Sequence, residues 1–259
     1  MDKAICILPL VPVREKPSDK SQMINQLLFG DLVQVRERNK DWVLMETIHD
    51  NYPGWVDEKQ LAFLSAAFFE RMEKEEAVFL SEKFVDAHDK NGDSLSLIMG
   101  NRLPAFEKNV FFMGDTDYSL PKNVRLLRGK QKQDVVIETA KRYLGSPYLW
   151  GGRSYFGNDC SGFTQIVYRM CGYNLLRDSS QQAEQGVIIS FIEEAKIADL
   201  AFFENEEGCI MHVGILLNNH QIIHSSGQVR IDAIDHEGIF NENLKKYTHK
   251  LRFIRRIIA

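Results

Sequence analysis

One amphipathic period constrains this chain more than any other feature. After Cys160 the apolar residues Phe163, Ile166, Val167 and Met170 recur at i, i+3, i+4 and i+7, which is one face of a helix. Asp159 is placed to cap the start of that helix and Gly172 to end it, so Cys160 falls in its first turn. The positive end of the helix dipole favours a thiolate at that position, and a thiolate is the attacking species in acyl transfer. Taken alone, Cys160 reads equally well as a small buried residue. A catalytic reading needs a base.

The base is sought in the strands that follow. Met211–Leu217 reads as a buried strand, Asn218-Asn219-His220 as a turn, and Gln221–Ser225 as the returning strand. Such a turn pairs Leu217 with Gln221 and puts His212 opposite Ser226, with His224 its diagonal neighbour on the same face. A slip of one residue would send the two histidines to opposite faces. In this register a helical cysteine and two strand histidines converge, with His224 orienting His212. His220 falls at the turn tip and reads as a surface residue.

Composition bounds the rest. The chain has 259 residues, 44% hydrophobic and 26% charged, enough for a packed core and unlike a disordered or fibrous protein. A net charge of −4 argues against a nucleic-acid partner, which needs a basic face. No apolar run reaches the roughly 18 residues that span a bilayer, so no membrane association is expected. Pro9 and Pro12 interrupt the apolar start, which reads as an opening strand and not a leader; a cytoplasmic location is expected. The cysteines Cys6, Cys160, Cys171 and Cys209 are scattered without zinc spacing, and Cys171 and Cys209 read as core. Asp89-Lys90-Asn91-Gly92-Asp93 is loosely like a calcium loop but has Gly100 at the twelfth position, so it reads as a turn; no metal is expected.

Residues 1–65 look all-β, with short runs at Ile5–Leu8, Leu27–Phe29, Leu32–Arg36, Trp42–Thr47 and Gly54–Val56, which suggests a small barrel with Trp42 and Trp55 in its core or in a binding groove. Residues 66–128 offer strands at Ala77–Leu80 and Leu95–Met99, and the simplest reading is a second, degenerate barrel. Gly129–Gln133 is polar and suits a linker, and Asp134 reads as the N-cap of a helix through Leu144. Arg153 reads as a solvated loop residue.

Two resemblances sharpen this. Leu28-Phe29-Gly30-Asp31, Trp42 and Tyr52-Pro53-Gly54-Trp55-Val56 resemble a bacterial SH3-like (SH3b) domain. Tyr148-Leu149-Trp150-Gly151-Gly152, Asn158-Asp159-Cys160-Ser161-Gly162-Phe163, the His212-Val213-Gly214-Ile215 strand and a polar residue twelve positions after His212 resemble the NlpC/P60 catalytic domain over residues 130–259. That likeness implies an α+β fold: a papain-like catalytic domain at 129–259 behind one or two SH3b-like barrels at 1–65 and 66–128. It implies a Cys160, His212, His224 triad without cofactor. Ser161 would donate its backbone N–H to the oxyanion, helped by the Tyr148 hydroxyl. Asp159, Ser161 and Ser179 would meet the amino-terminal part of the substrate. Tyr52, presented by the Pro53-Gly54 bend, would close one end of the cleft. The implied substrates are small peptidoglycan-derived peptides, cut after γ-D-glutamate, with a free L-alanine, during wall recycling. Amidase or acyltransferase chemistry on the same fold, or a non-catalytic wall-peptide binding module, are the alternatives. One departure is Ala198-Asp199-Leu200, where the family has glycine first.

Overall fold

The computed structural model describes residues 2–113 and 116–258. The chain forms two compact units, Met1–Lys130 and Gln131–Ala259.

The first unit opens with strands β1 (Lys3–Cys6), β2 (Leu10–Arg14), β3 (Met23–Leu28), β4 (Leu32–Asn39), β5 (Trp42–Thr47), β6 (Pro53–Asp57) and β7 (Leu61–Phe63). They form one antiparallel sheet in the order β3-β2-β6-β5-β4-β1-β7. Alternation selects the core: along β5, Val43, Met45 and Thr47 are buried while Trp42 and Leu44 are half-buried. Trp42 and Trp55 therefore sit on the outward-leaning positions of their strands, and neither belongs to the buried core, one of the two places expected for them. Val11, Val13, Val43, Met45 and Val56 fill that core.

The same unit continues with helix α1 (Ala66–Lys74), then β8 (Val78–Leu80), β9 (Phe84–His88), β10 (Ser94–Ile98), β11 (Val110–Met113), β12 (Thr116–Ser119) and β13 (Leu126–Arg128). Ser65 caps α1 by accepting the Phe68 N–H, and Phe69 and Met72 are its buried face. A four-stranded sheet runs β10-β9-β12-β11, and β13 pairs with β8. Asp89–Asp93 is the turn of the β9–β10 hairpin, closed by the Asp89 N–H on the Asp93 carbonyl at 3.0 Å. The Phe29 ring, from the first segment, meets Phe111 edge-on at 5.7 Å within the core of the second segment, and Asn101 donates to the Pro9 carbonyl at 2.9 Å, so the two segments are packed together while the barrel keeps its own core.

The second unit begins with α2 (Gln133–Lys141), whose N-cap is Lys132; Asp134 lies inside the first turn, where its charge suits the helix dipole, and does not cap it. After the short hairpin β14 (Arg153–Ser154) and β15 (Gly157–Asn158) comes α3 (Cys160–Met170), capped by Asp159 and buried along its whole length. Phe163, Ile166, Val167 and Met170 are each fully buried, which contributes about 1.5–3 kcal/mol per side chain. Gly172, at φ 83°, ends the helix. There follow α4 (Ser179–Gln182), β16 (Val187–Ile189), β17 (Leu200–Glu204), β18 (Ile210–Asn218), β19 (Gln221–Ser226), β20 (Gln228–Ile234), β21 (Gly238–Asn241) and β22 (Lys246–Arg256). Their sheet runs β16-β22-β17-β18-β19-β20-β21, and β21 also pairs with β22, so six strands close on themselves. Among the described residues no helix is long and apolar enough to cross a membrane.

Candidate active site

The start of α3 is built from a buried polar cluster. Asp159 Oδ1 accepts the Gly162 N–H at 2.7 Å and Oδ2 accepts the Gly151 N–H at 2.9 Å. Arg177 clamps the same carboxylate, Nη2 to Oδ2 at 2.6 Å and Nη1 to Oδ1 at 3.0 Å, and also donates to Ser161 Oγ at 3.0 Å. Both partners are almost wholly buried, 2% and 6% exposed, so each is the other's charge compensation. A Cβ on Gly162 would lie 2.1 Å from the Gly152 carbonyl oxygen, so this first helical turn has room for glycine alone.

Cys160 Sγ lies 4.0 Å from the Met211 carbonyl oxygen and meets the Val213 backbone N–H, the residues that flank His212 on β18. Burial pushes the thiol up to about 12 and Asp159 adds to the rise; the N–H groups of Val213 and Ser161 and the Arg177 charge pull the other way. The sequence led us to expect a lowered thiol at the helix start; burial outweighs that and the net shift is upward.

The histidines meet as the sequence register requires. Gly214, Ile215 and Leu216 pair with His224, Ile223 and Ile222; the turn is tighter than three residues, since Asn218 pairs with Gln221 and Leu217 is bulged out. His212 Nε2 lies 2.8 Å from His224 Nδ1. A Cβ on Gly214 would stand 2.8 Å from the His224 Cβ, which gives that glycine its place in the strand. His212 is buried, and burial first, then His224 and His249, hold its pKa well below the usual imidazole value. His220 is exposed in the turn.

Four residues around the site escaped the sequence reading. His224 Nε2 lies 2.9 Å from Asp232 Oδ2, and Arg230 Nη2 donates to Asp232 Oδ1 at 2.7 Å. His249, on β22, stacks on His212 with ring centroids 4.2 Å apart and 29° between planes. Asp232 was findable: Ser226 pairs with Gln228 across Gly227, which sets His224 opposite Arg230 and Asp232 one diagonal step away. Arg177 and His249 arrive from distant segments and leave no local signal.

Tyr148 is 38% exposed, and its phenol is pushed up to about 12 by burial first, then by Cys160 and Asp159, so it stays a hydroxyl. Ser179 is the first residue of α4, behind the N-cap Asp178, and no hydrogen bond joins its side chain to Cys160 among the described residues. Tyr52 lies in the first unit, half-buried, its N–H donated to Thr47 Oγ1 at 3.0 Å. Two expectations fail. Arg153 is fully buried, with Nη1 donating to Gln165 Oε1 at 3.1 Å, because the β14–β15 hairpin folds over α3. Cys209 is exposed, in the Asn205–Cys209 turn that precedes β18. A cavity of about 770 Å³ opens beside His212, lined by Phe203, Met211, Tyr247, His249 and the carboxylates Glu204, Glu206 and Glu237. Among the described residues no group of three or more His, Cys, Asp or Glu is placed to hold a metal ion.

The sequence profile of the NlpC/P60 family matches residues 145–249, and that of the bacterial dipeptidyl-peptidase Sh3 domain matches residues 13–61. A γ-D-glutamyl-L-lysine dipeptidyl-peptidase of Bacillus cereus is 30% identical over 233 residues, covering 80% of this chain and 68% of that protein. The protein of the same description from Bacillus subtilis is 31% identical over 216 residues, 77% of this chain and 71% of its own. In three dimensions the fold matches the crystal structure of an NlpC/P60 family protein from Bacillus cereus with a TM-score of 0.83, at 23% identity, over 99% of this chain and 100% of that one.

Proposed function

The chain belongs to the NlpC/P60 family, and from that premise we propose that it is a cysteine peptidase that hydrolyses the bond between γ-D-glutamate and a diamino acid in small peptidoglycan-derived peptides. The observation that carries this reading is the thiol of Cys160 lying against the backbone on either side of His212, whose Nε2 lies 2.8 Å from His224 Nδ1.

In the proposed reaction Cys160 gives its proton to His212 as the sulfur attacks the γ-glutamyl carbonyl carbon. The oxyanion is met by the Ser161 backbone N–H and the Tyr148 hydroxyl, which its raised pKa keeps protonated. The C–N bond breaks, His212 protonates the leaving amine, and a thioester remains. Water, deprotonated by His212, then releases the dipeptide acid and restores the thiol. His224 is the triad's third member.

Cleavage is proposed to follow a free amino-terminal L-alanine, in the breakdown of wall peptides. Relatives bearing the dipeptidyl-peptidase description support an end-directed cut. Asp159 and Ser161, with Ser179, are the proposed contacts for the dipeptide end. Arg177 already occupies both Asp159 oxygens, so Asp159 meets an ammonium only as part of that clamped group. The cavity beside His212 has Glu206 and Glu237 on its wall as well as Lys250, which is paired with Glu204 at 2.7 Å; the remaining carboxylates suit the cationic side chain of a diamino acid on the leaving side.

Incubation with L-Ala-γ-D-Glu-L-Lys and with its diaminopimelate counterpart, followed by mass spectrometry, tests the reading. Release of L-Ala-γ-D-Glu is expected, abolished in Cys160→Ala and weakened by N-acetylation of the peptide. Full hydrolysis by Cys160→Ala overturns it.

A further inference from the structure

The two active-site histidines form a chain whose proton order is not free. Each neutral imidazole carries one N–H and one lone pair, so two linked rings have two possible orders. In the first, protons sit on both Nε2 atoms: His212 Nε2–H donates to His224 Nδ1, and His212 Nδ1 keeps a lone pair. In the second, His224 Nδ1–H donates to His212 Nε2, and the remaining His212 proton is on Nδ1, where it cannot accept another.

What breaks this tie lies one residue further on. Asp232 Oδ2 stands 2.9 Å from His224 Nε2, and Asp232 Oδ1 is held by Arg230 at 2.7 Å. Burial raises the Asp232 carboxyl, but the hydrogen bonds from His224 and Arg230 outweigh it and the net shift is downward, so Asp232 is a carboxylate. A carboxylate accepts and cannot donate. The second order would aim the His224 Nε2 lone pair at that buried anion, with repulsion where the first order has a charge-assisted hydrogen bond. Among the described residues, the charged or titratable groups that bear on Asp232 are His224, Arg230 and His249; Arg230 is engaged on Oδ1, and His224 Nε2 is the group in hydrogen-bond reach of Oδ2.

We propose that Asp232 is a positioning residue that sets the proton order of the His224–His212 pair and thereby makes His212 Nδ1 the atom that receives the Cys160 proton. The inference rests on the cysteine-peptidase reading and adds to it which nitrogen works and what fixes it. When His212 takes the proton, its Nε2–H bond to His224 strengthens, backed by the His224–Asp232 pair, with no proton moving along the chain. Asp232 touches neither substrate nor thiol.

The test reads the protons directly. In the resting wild-type protein, 15N NMR of the imidazoles is expected to show His212 and His224 each protonated at Nε2 and bare at Nδ1. In Asp232→Asn the amide can turn to donate, the second order becomes accessible, and His212 should gain an Nδ1–H population. Its kcat should fall by about 10- to 100-fold with KM little changed, less than the ~10⁴-fold loss where a carboxylate touches the base histidine itself. Hydrolysis surviving in Cys160→Ala would sink the peptidase reading, whatever the spectra show. Loss of activity in Cys160→Ala, together with His212 bearing Nδ1–H in the wild type or full kcat in Asp232→Asn, overturns the Asp232 assignment alone. The wild-type spectrum decides even where Asp232→Asn does not fold.

Discussion

Two buried polar clusters flank the Cys160 sulfur, and they differ in kind. At the helix start, Asp159 and Arg177 are joined by the two hydrogen bonds of a buried ion pair. On the sheet, His212, His224 and Asp232 are joined by bonds whose direction depends on where protons sit. The first cluster is a clamped ion pair and works as a fixture; the second holds His212, whose burial keeps its imidazole a neutral base. Burial serves both, raising the worth of the ion pair's geometry in one and keeping His212 deprotonated in the other.

The contrast can be broken at the fixture first. Arg177→Met strands the Asp159 carboxylate in the core, and thermal or urea unfolding should show a loss of about 3–5 kcal/mol. A loss of activity with unchanged stability would place Arg177 among the chemical groups instead. The second test separates the clusters by pH. In His212→Ala the Cys160 thiol keeps its burial and loses its proton acceptor, so its alkylation by iodoacetamide should inflect above the free-thiol value of roughly 8.5, toward about 12. Reactivity at neutral pH in that variant would show the helix start to be sufficient after all. A smaller effect is expected from His224→Ala, with kcat lowered by about 10- to 100-fold, KM little changed and stability nearly kept. The smallest concerns Ala198, which holds φ 64° at the turn before β17. Ala198→Gly should relieve left-handed strain and stabilise by up to about 1 kcal/mol in urea titrations, without touching kcat.

The sequence made much of this legible where local signals carry structure. The α3 period with its Asp159 cap, and separately the hairpin register, are each local patterns of about a dozen residues, so Cys160 and the facing His212–His224 pair could be placed from patterning. Helix α1 was missed although Ser65 marks its start, because two buried residues, Phe69 and Met72, make a weak period. Arg153 and Cys209 were misplaced since burial depends on what folds over a loop, and no local pattern encodes that. His249 stacks on His212 only because β22 closes the barrel, a pairing between Ile239 and His249 on one side and Phe203 and Leu251 on the other.

That closure also orders events in time. The β18–β19 hairpin joins neighbours such as Leu216 and Ile222, a short loop with a small closure entropy. Strand β22 must instead reach back to β17, setting Arg255 beside Leu200, before the sheet is sealed. Contacts of such separation form late in folding. The histidine pair is thus expected to assemble early and to stay wet and poorly aimed until the last strand docks. A half-folded molecule would carry the reactive groups without the dry, stacked setting that makes them work, so hydrolytic competence should appear as a late kinetic phase, after most of the secondary structure has formed.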